Sequence, residues 1–281
     1  MFKPLPLFLG LRYSRSRRRN GFIAFISASS LIGIALGVMA LILGLSAMNG
    51  FERELKNRVL SVVPHGELIG MEAPLPDWPR LRDYLLAQPG IEAAAPVIRL
   101  DGLLEHGSAI KGVQVRAVLP ELEANLSDAG NYMTGLGFRE LQAGEHGVIL
   151  GKTIADKLGV KIGDPVTLLL PQGGDETGIK NPRRETLTVV GLLEIGGQLD
   201  GVLGFMHLAD AQSITGMGSA VEGFSLKVND VLKAQSITVA AARKFPHYVY
   251  ISSWMSRQGY LYQDIQMVRT VMYVVMLMVV A

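Results

Sequence analysis

The sequence predicts a membrane protein of the α+β class. We expect an N-terminal transmembrane helix, a large extracytoplasmic α+β domain with a mixed sheet, and the start of a second transmembrane helix. Three observations support this prediction. The 32 residues between Arg19 and Glu52 include no Asp, Glu, Lys or Arg. A second uncharged, mostly apolar run follows Arg269. Between these two runs, segments typical of strands and helices alternate irregularly, as they do in α+β domains.

The composition agrees with a membrane-embedded chain. Of 281 residues, 49% are hydrophobic and 19% are charged, whereas average soluble domains carry about 25% charged residues. Residues 1–21 form a basic leader, and the rest of the chain has a small acidic excess. The basic residues of the leader are Lys3, Arg12, Arg15, Arg17, Arg18 and Arg19. A nucleic-acid-binding protein would carry its positive charge on the folded domain, so this distribution argues against that class.

Residues 22–48 are predicted to form the first transmembrane helix, because a bilayer core needs about 20 apolar residues. The alternative is a cleaved signal peptide, whose apolar region would be only about 7–15 residues long. The run is longer than that, and Ser46-Ala47-Met48 is a poor cleavage site. The basic leader places the N-terminus in the cytoplasm by the positive-inside rule, so the chain beyond residue 49 lies on the far side.

One face of this helix carries a seam of small residues at alternating spacings of three and four. Its members are Ser30, Gly33, Gly37, Ala40, Gly44 and Ala47. Small residues allow close approach between membrane helices, where packing replaces the hydrophobic driving force. The seam therefore predicts contact with partner helices, although Gly and Ala are also common in membrane helices generally.

Residues 49–265 are predicted to form one extracytoplasmic domain with a helical stalk at each end. In the first stalk, residues 51–59, Glu52 and Glu54 precede Lys56 and Arg58 by four residues, the favoured order for helical ion pairs. The second stalk leads into residues 266–281, the start of transmembrane helix 2. The uncharged run at the start of transmembrane helix 2, residues 270–281, is too short to span a bilayer. We therefore expect the chain to be part of a longer polytopic protein.

Within the domain, hydrophobic periodicity and turn residues predict nine strands and three helices. The strands are expected at 66–70, 91–104, 110–119, 148–150, 166–170, 187–193, 205–208, 223–228 and 248–251. The helices are expected at 77–87, 153–158 and 231–244, and a polar loop at 171–184. The chain has no cysteine, so it has no disulfides, which is compatible with a periplasmic location without establishing it.

A search for catalytic motifs identifies no enzyme. The five histidines include no pair with the local spacing of a zinc site. No nucleophile elbow G-x-S-x-G exists, because Gly44-Leu-Ser46 is followed by Ala47-Met48 and lies in the membrane segment. The nearest match to a phosphate-binding loop, residues 146–153, has His146 in place of its first glycine. Three apolar residues then occupy what should be a flexible cradle of backbone amides. We interpret this segment as a strand followed by a helix, and we predict no cofactor and no metal site in the chain.

Several blocks of the sequence resemble the lipoprotein-releasing permeases of the LolC/LolE family. They are Leu-Gly-Leu-Arg-Tyr at 9–13, Ile-Gly-Ile-Ala-Leu-Gly-Val-Met-Ala-Leu at 32–41, Ser-Ala-Met-Asn-Gly-Phe-Glu-Arg-Glu-Leu at 46–55 and Val-Val-Pro-His-Gly-Glu at 62–67. Two further blocks resemble LolE in particular: Gly-Gln-Leu-Asp at 197–200 and the segment 250–269. The resemblance covers essentially the whole chain.

This resemblance implies a four-helix permease of the bacterial inner membrane, with the large domain in the periplasm. Such a permease is a subunit of an ABC-type complex that extracts outer-membrane lipoproteins and passes them to a periplasmic carrier chaperone. It implies a LolC-type permease partner, contact with membrane lipids, and cytoplasmic ATPase subunits that hold ATP and Mg. No nucleic acid is expected as a partner. The alternatives are a macrolide-exporter-like or division-associated permease, and a membrane-anchored extracytoplasmic sensor, which a signalling domain after Ala281 would favour.

A triacylated lipoprotein should bind with its acyl chains among membrane helices and its head near the outer interface. The residues at that level are Met48, Phe51, Tyr260, Asp264 and Met267. Methionines adapt to varied apolar chains, and an ionisable group such as Asp264 at this depth is costly unless it is paired or functional. The alternative is helix packing, with Asp264 solvated or paired with Arg257 or Arg269.

The polar loop at 171–184 is a candidate periplasmic partner loop, with Lys180, Arg183 and Arg184 as its basic residues. In LolC-type relatives the corresponding hairpin binds the carrier chaperone. Because this chain looks more like LolE, an ordinary solvated hairpin is the preferred interpretation.

Overall fold

A computed structural model describes residues 21–54, 61–71, 74–171, 181–197, 199–256, 267–268, 270–275 and 278; for Ile23, Ala24 and residues 51–54 it describes the backbone only. The chain divides into two compact units. Unit 1 comprises residues 1–52 and 263–281, and unit 2 comprises residues 53–262.

Unit 1 contains all but the last two residues of the long helix α1 (Gly21–Glu54) and a helical segment that includes residues 270–275. Within α1, Phe25–Gly50 is long and apolar enough to cross a membrane, and only 6% of its most apolar window is buried. A helix that is apolar on every side is a buried core helix or a membrane span, and the exposure of α1 favours the span. The first turn of the predicted stalk, up to Glu54, continues α1 without a break, whereas residues 55–60 lie outside the described residues.

Unit 2 contains nine strands, five α-helices and several 3₁₀ turns among its described residues. In chain order they are β1 (Gly66–Gly70), α2 (Trp78–Leu86), β2 (Ile91–His106), β3 (Ala109–Val118), α3 (Pro120–Leu126), β4 (Gly147–Gly151), α4 (Lys152–Leu158), β5 (Pro165–Leu170), β6 (Arg183–Leu193), β7 (Leu203–His207), α5 (Leu208–Thr215), β8 (Gly223–Val228), α6 (Ala234–Ala242) and β9 (Val249–Ser253). The main 3₁₀ turns are Ala129–Tyr132, Gly137–Glu140, Leu199–Gly201 and Val231–Lys233.

Four strands form one sheet in the order β2-β8-β1-β9, with every neighbouring pair antiparallel. Because α2 joins β1 to β2 and α6 joins β8 to β9, this is the split βαβ arrangement of ferredoxin-like domains. We call this sheet with its two helices the sheet lobe. Everything between β2 and β8 is an insertion between its second and third strands.

The inserted strands close a ring, which we call the barrel lobe. Its order is β2-β3-β7-β4-β6-β5 and back to β2, with parallel pairing at β3–β7 and β4–β6 and antiparallel pairing elsewhere. The 16-residue strand β2 belongs to both lobes. Its first half, up to Val97, pairs with β8, and its second half, from Ile98, pairs with β3.

The mixed sheet of an α+β domain is confirmed, and each predicted strand overlaps an observed one. Most boundaries differ by one or two residues, and three differences change the type of an element. Strand β6 begins at Arg183, so Arg183 and Arg184 lie in a strand rather than in the polar loop. Leu208 begins α5 instead of ending a strand, and the helix expected at 231–244 is a 3₁₀ turn followed by α6.

Candidate functional site

A cluster of buried charges joins the two lobes of unit 2. Arg116 on β3 donates hydrogen bonds to Glu67 on β1 at 2.6 Å and to Ser225 on β8 at 2.7 Å. Beside it, Arg99 binds the carboxylate of Glu222 through its side chain at 2.8 Å and its backbone amide at 2.7 Å. Glu67 and Ser225 lie opposite each other in the β1–β8 register, so the alternation of these strands turns both side chains towards Arg116.

A second buried carboxylate, Glu123 on α3, lies in the same electrostatic environment. Its side chain accepts one hydrogen bond, from the Ser127 hydroxyl at 3.1 Å, and its second oxygen makes none within the described residues. Burial raises the pKa of Glu123, the positive charge of Arg116 and the bond from Ser127 oppose this rise, and the negative charge of Glu67 adds to it. The net effect is a pKa above the ordinary value of glutamate, as expected for a buried carboxyl group with few compensating partners.

Next to Arg116 lies a cavity of about 160 Å³. Strands β3 and β7 run parallel, with Gln114 opposite Leu203 and Arg116 opposite Phe205, so these four side chains share one face. The complete lining is Val62, Val63, Pro64, Gln114, Arg116, Leu199, Leu203, Phe205 and Trp254. The cavity thus lies where residues 62–64, which precede β1, meet Trp254, which directly follows β9.

A tight loop forms one wall of this cavity. The carboxylate of Asp200 accepts hydrogen bonds from the backbone amides of Ile195 at 3.0 Å and Gly196 at 2.9 Å. Gly151, at the end of β4, lies directly against the backbone of Asp200, and a Cβ atom there would come within 2.8 Å of the Asp200 Cα. Glycine is therefore required at position 151 for the loop 195–203 to pack as it does.

Of the predicted lipoprotein-binding residues, the structure describes the surroundings of two. Met48 on α1 is half-buried, and Met267 is 67% exposed. Phe51 lies in the helical backbone of α1, but its side chain is outside the described residues, as are Tyr260 and Asp264. This set stays a prediction.

Of the predicted small-residue seam, the structure brings one residue against the second helix of unit 1. A Cβ atom on Gly44 would meet the terminal methyl group of Met272 and lie 3.6 Å from its sulfur. Gly37 is half-buried, whereas Ser30, Gly33, Ala40 and Ala47 are exposed. The covered face of α1 also includes Leu41, Leu45 and Met48, so the seam as a whole stays a prediction.

The predicted partner loop is described only at its ends. Arg183 pairs with Glu185 and Arg184 with Glu105, both at 2.6 Å, while Lys180 lies outside the described residues. The Arg184–Glu105 pair ties β6 to β2 across β5, so Arg184 stabilises the base of this hairpin.

The segment that resembles a phosphate-binding loop is a strand followed by a helix, as predicted. Gly147–Gly151 is fully buried as β4, and Lys152 begins α4. The Lys152 side chain donates a 2.7 Å hydrogen bond to Glu194, which raises the pKa of the ammonium group. Within the described part of the chain, no group of three or more His, Cys, Asp or Glu side chains could hold a metal ion.

Sequence reasoning missed the buried charge cluster and the cavity. Alternation in Gln-Val-Arg-Ala-Val at 114–118 places Gln114 and Arg116 on one face, which is the usual pattern of a solvated strand face. Only the pairing of β3 with distant strands shows that this face is covered.

The chain was compared with protein families, individual proteins and solved structures. The family with a MacB-like periplasmic core domain matches residues 27–244. The lipoprotein-releasing system transmembrane protein LolE of Haemophilus influenzae is 39% identical over 280 residues, covering 98% of this chain and 67% of that protein. LolC of Neisseria meningitidis serogroup B is 34% identical, covering 99% of this chain and 67% of its own length. Among solved structures, the extracellular domain of the ABC-type transporter YknZ aligns with a TM-score of 0.43 and 14% identity, over 66% of this chain and 97% of that domain.

Proposed function

The chain belongs to the LolC/LolE family of lipoprotein-releasing system transmembrane proteins, and we propose from this that it is a permease subunit that extracts lipoproteins from the inner membrane. The observation that carries the proposal is identity of 39% to a LolE protein over 98% of the chain, which includes both membrane-flanking blocks. A macrolide-exporter-like permease is less well supported, because relatives at 34–39% identity are named for lipoprotein release.

In the proposed topology, the N-terminus is cytoplasmic and unit 2 is periplasmic. The basic leader supports this orientation, because Lys and Arg are retained on the cytoplasmic side. A lipoprotein destined for the outer membrane must leave from the periplasmic face, so unit 2 lies on the side where the substrate is released.

We assign ATP hydrolysis to separate cytoplasmic ATPase subunits that bind ATP and Mg. In this chain, the segment most like a phosphate-binding loop is a buried strand, and its Lys152 is paired with Glu194. Phosphate loops need exposed backbone amides and a lysine that reaches the phosphates, which supports placing this chemistry on another subunit. A LolC-type permease is the proposed membrane partner.

The lipoprotein is proposed to bind at the periplasmic end of the membrane helices, at Met48, Phe51, Tyr260, Asp264 and Met267. The exposed side chain of Met267 is an adaptable apolar contact, and Met48 lies on the half-buried face of α1. Transfer to the periplasmic carrier chaperone is proposed to be indirect for this subunit, with the hairpin at 171–184 acting as a solvated turn.

The test is lipoprotein release by the full permease, assembled with its partner permease and ATPase in proteoliposomes that contain labelled lipoprotein. Phe51→Glu and Asp264→Lys should reduce the lipoprotein that co-purifies with the complex while leaving assembly with the ATPase intact. Ile162→Glu and Asp83→Lys make the same charge changes at exposed positions of unit 2 and should have no effect. Lipoprotein retention by both site variants equal to that of the wild type would refute the binding site, and a wild-type complex that releases no lipoprotein would refute the function.

A further inference from the structure

The cavity in unit 2 is separate from the membrane-level residues proposed above to bind lipoprotein. It has a volume of about 160 Å³, and seven of its nine lining residues are aliphatic, aromatic or proline. Trp254 and Leu203 on its wall are 3% and 7% exposed. A space lined mainly by apolar side chains favours apolar guests, because hydrocarbon that is buried there is removed from water.

The two polar residues of the lining are already paired. The Gln114 amide donates to Asp101 at 2.8 Å, and the guanidinium of Arg116 donates to Glu67 and Ser225. The charge of Arg116 is thus balanced by a carboxylate that lies within hydrogen-bonding distance. A guest therefore gains little from a charged group and most from burying hydrocarbon.

The size of the cavity restricts the guest further. An apolar protein cavity of about 150 Å³ accepts a molecule the size of benzene, so this cavity holds a short length of one hydrocarbon chain. A folded peptide or a whole lipid would be far too large. The guest is therefore a segment of a longer, flexible apolar molecule.

The position of the cavity in the chain indicates where that molecule comes from. Val62–Val63–Pro64 are among the first described residues of unit 2, and Trp254 follows its last strand. The two ends of unit 2 thus converge on the cavity, and these are the ends that lead in sequence to the membrane helices of unit 1. In sequence, the cavity lining is therefore close to both membrane-flanking segments of the chain.

We propose that this cavity binds a segment of one acyl chain of the lipoprotein during its transfer out of the membrane. The inference rests on the proposed function, and it adds a second, extramembrane contact for the substrate. Its role is to shield an acyl segment from water after the chain has left the bilayer. Membrane phospholipids carry the same chemistry, so the test must separate the two sources.

The experiment uses the full permease in its complex, in vesicles, with a synthetic triacylated lipopeptide that carries a photoactivatable diazirine in its amide-linked acyl chain. A parallel sample carries the same diazirine in the acyl chain of phosphatidylethanolamine. After illumination, mass spectrometry locates the labelled residues. We expect lipopeptide label at 62–64 and 199–205, and far less label there from the phospholipid.

Variants that fill the cavity provide the matched comparison. Leu203→Trp and Val63→Phe should each lower lipopeptide label in the cavity by about tenfold, because the chain loses burial of several methylene groups. Leu136→Trp, which enlarges an exposed leucine in a different cleft, should leave it unchanged. If one of these two cavity-filling variants fails to fold, the other variant and the wild-type labelling pattern still show whether the cavity binds an acyl segment.

Label confined to the membrane helices, or equal cavity label from phospholipid and lipopeptide, would overturn the inference. If the wild-type complex releases lipoprotein but the cavity is never labelled, the inference fails and the proposed function stands. If the complex neither releases lipoprotein nor takes up label, the proposed function fails, and the inference fails with it.

Discussion

Arg116 of the barrel lobe and Glu67 of the sheet lobe form a buried ion pair at 2.6 Å, with the two side chains 5% and 0% exposed. The pair links strands β3 and β1, which no backbone ladder joins directly. Ser225 on β8 accepts a second hydrogen bond from the same guanidinium. A single arginine therefore connects the insertion to two strands of the sheet that carries it.

Removing Arg116 alone should destabilise unit 2 strongly. Arg116→Met leaves Glu67 buried without its main partner, and breaking a buried pair in this way costs about 3–5 kcal/mol. The measurement is thermal unfolding of the full permease in detergent. Replacing both residues, with Arg116→Met and Glu67→Leu, should cost less than the single change, because no uncompensated charge remains.

Arg80→Met is the matched control for this prediction. Arg80 pairs with Asp77 at 3.2 Å, but both side chains are exposed, and such surface pairs contribute about 0–1 kcal/mol. Equal losses for Arg80→Met and Arg116→Met would contradict a structural role for the buried pair.

Glu123 should make the stability of the protein depend on pH. Burial raises the pKa of Glu123 in the folded state, so the folded protein binds a proton more tightly than the unfolded chain. Its stabilising contribution is complete below the ordinary pKa of glutamate and is lost as pH rises through the raised value. Glu123→Gln, which cannot ionise, should lose less stability than the wild type between mildly acidic and mildly alkaline pH.

Melting temperatures across this pH range test the prediction. Glu121→Gln, on the exposed side of the same helix, should retain the wild-type slope. A Glu123→Gln slope identical to that of the wild type would mean that Glu123 is ionised in the folded protein throughout.

Most individual strands and helices of this fold could be predicted from the sequence, but the way in which the strands pair with one another could not. Strands such as Gly66–Gly70 and Gly223–Val228 follow from local patterns. That these two strands pair, although more than 150 residues separate them, depends on contacts that no local period encodes. For the same reason, the sequence does not predict that the strands of the barrel lobe form a closed ring, or that β2 pairs with strands of both lobes.

Two helices were missed for different reasons. Helix α3 carries Pro120 at its start with Glu121 and Glu123 in the first turn, signals that could have identified it. Helix α5 begins at Leu208 directly after β7, with no polar turn between them, so the sequence pattern places Leu208 in the strand. Of the candidate site, the membrane-level residues stay a prediction from the sequence, whereas the cavity could not be predicted because it depends on the pairing of β3 with β7.

The contact between Gly151 and Asp200 predicts that Gly151→Ala is destabilising. A methyl group at this position would overlap the backbone of Asp200, and the backbone cannot move aside as a flexible side chain could. We expect a loss of about 1–3 kcal/mol, as for other overpacked sites. Gly112→Ala on β3, where nothing lies within 4 Å of the added methyl group, should be close to neutral in the same thermal unfolding measurement. Equal effects of the two changes would show that the loop 195–203 moves freely.

The membrane helix α1 offers a matched pair of glycines for testing helix packing. A Cβ atom on Gly44 would meet Met272 of the second helix, whereas a Cβ atom on Gly33 would meet nothing within 4 Å. In lipid, such close packing replaces the hydrophobic drive for association. Gly44→Ile should therefore lower the melting temperature of the full permease in detergent, but only modestly, because the flexible end of the Met272 side chain can partly move aside. Gly33→Ile should have a smaller effect. Both changes introduce the same residue into the same helix, so the difference between them reports packing rather than helix propensity. A larger loss for Gly33→Ile would instead show that a different helix packs against the predicted seam at that level.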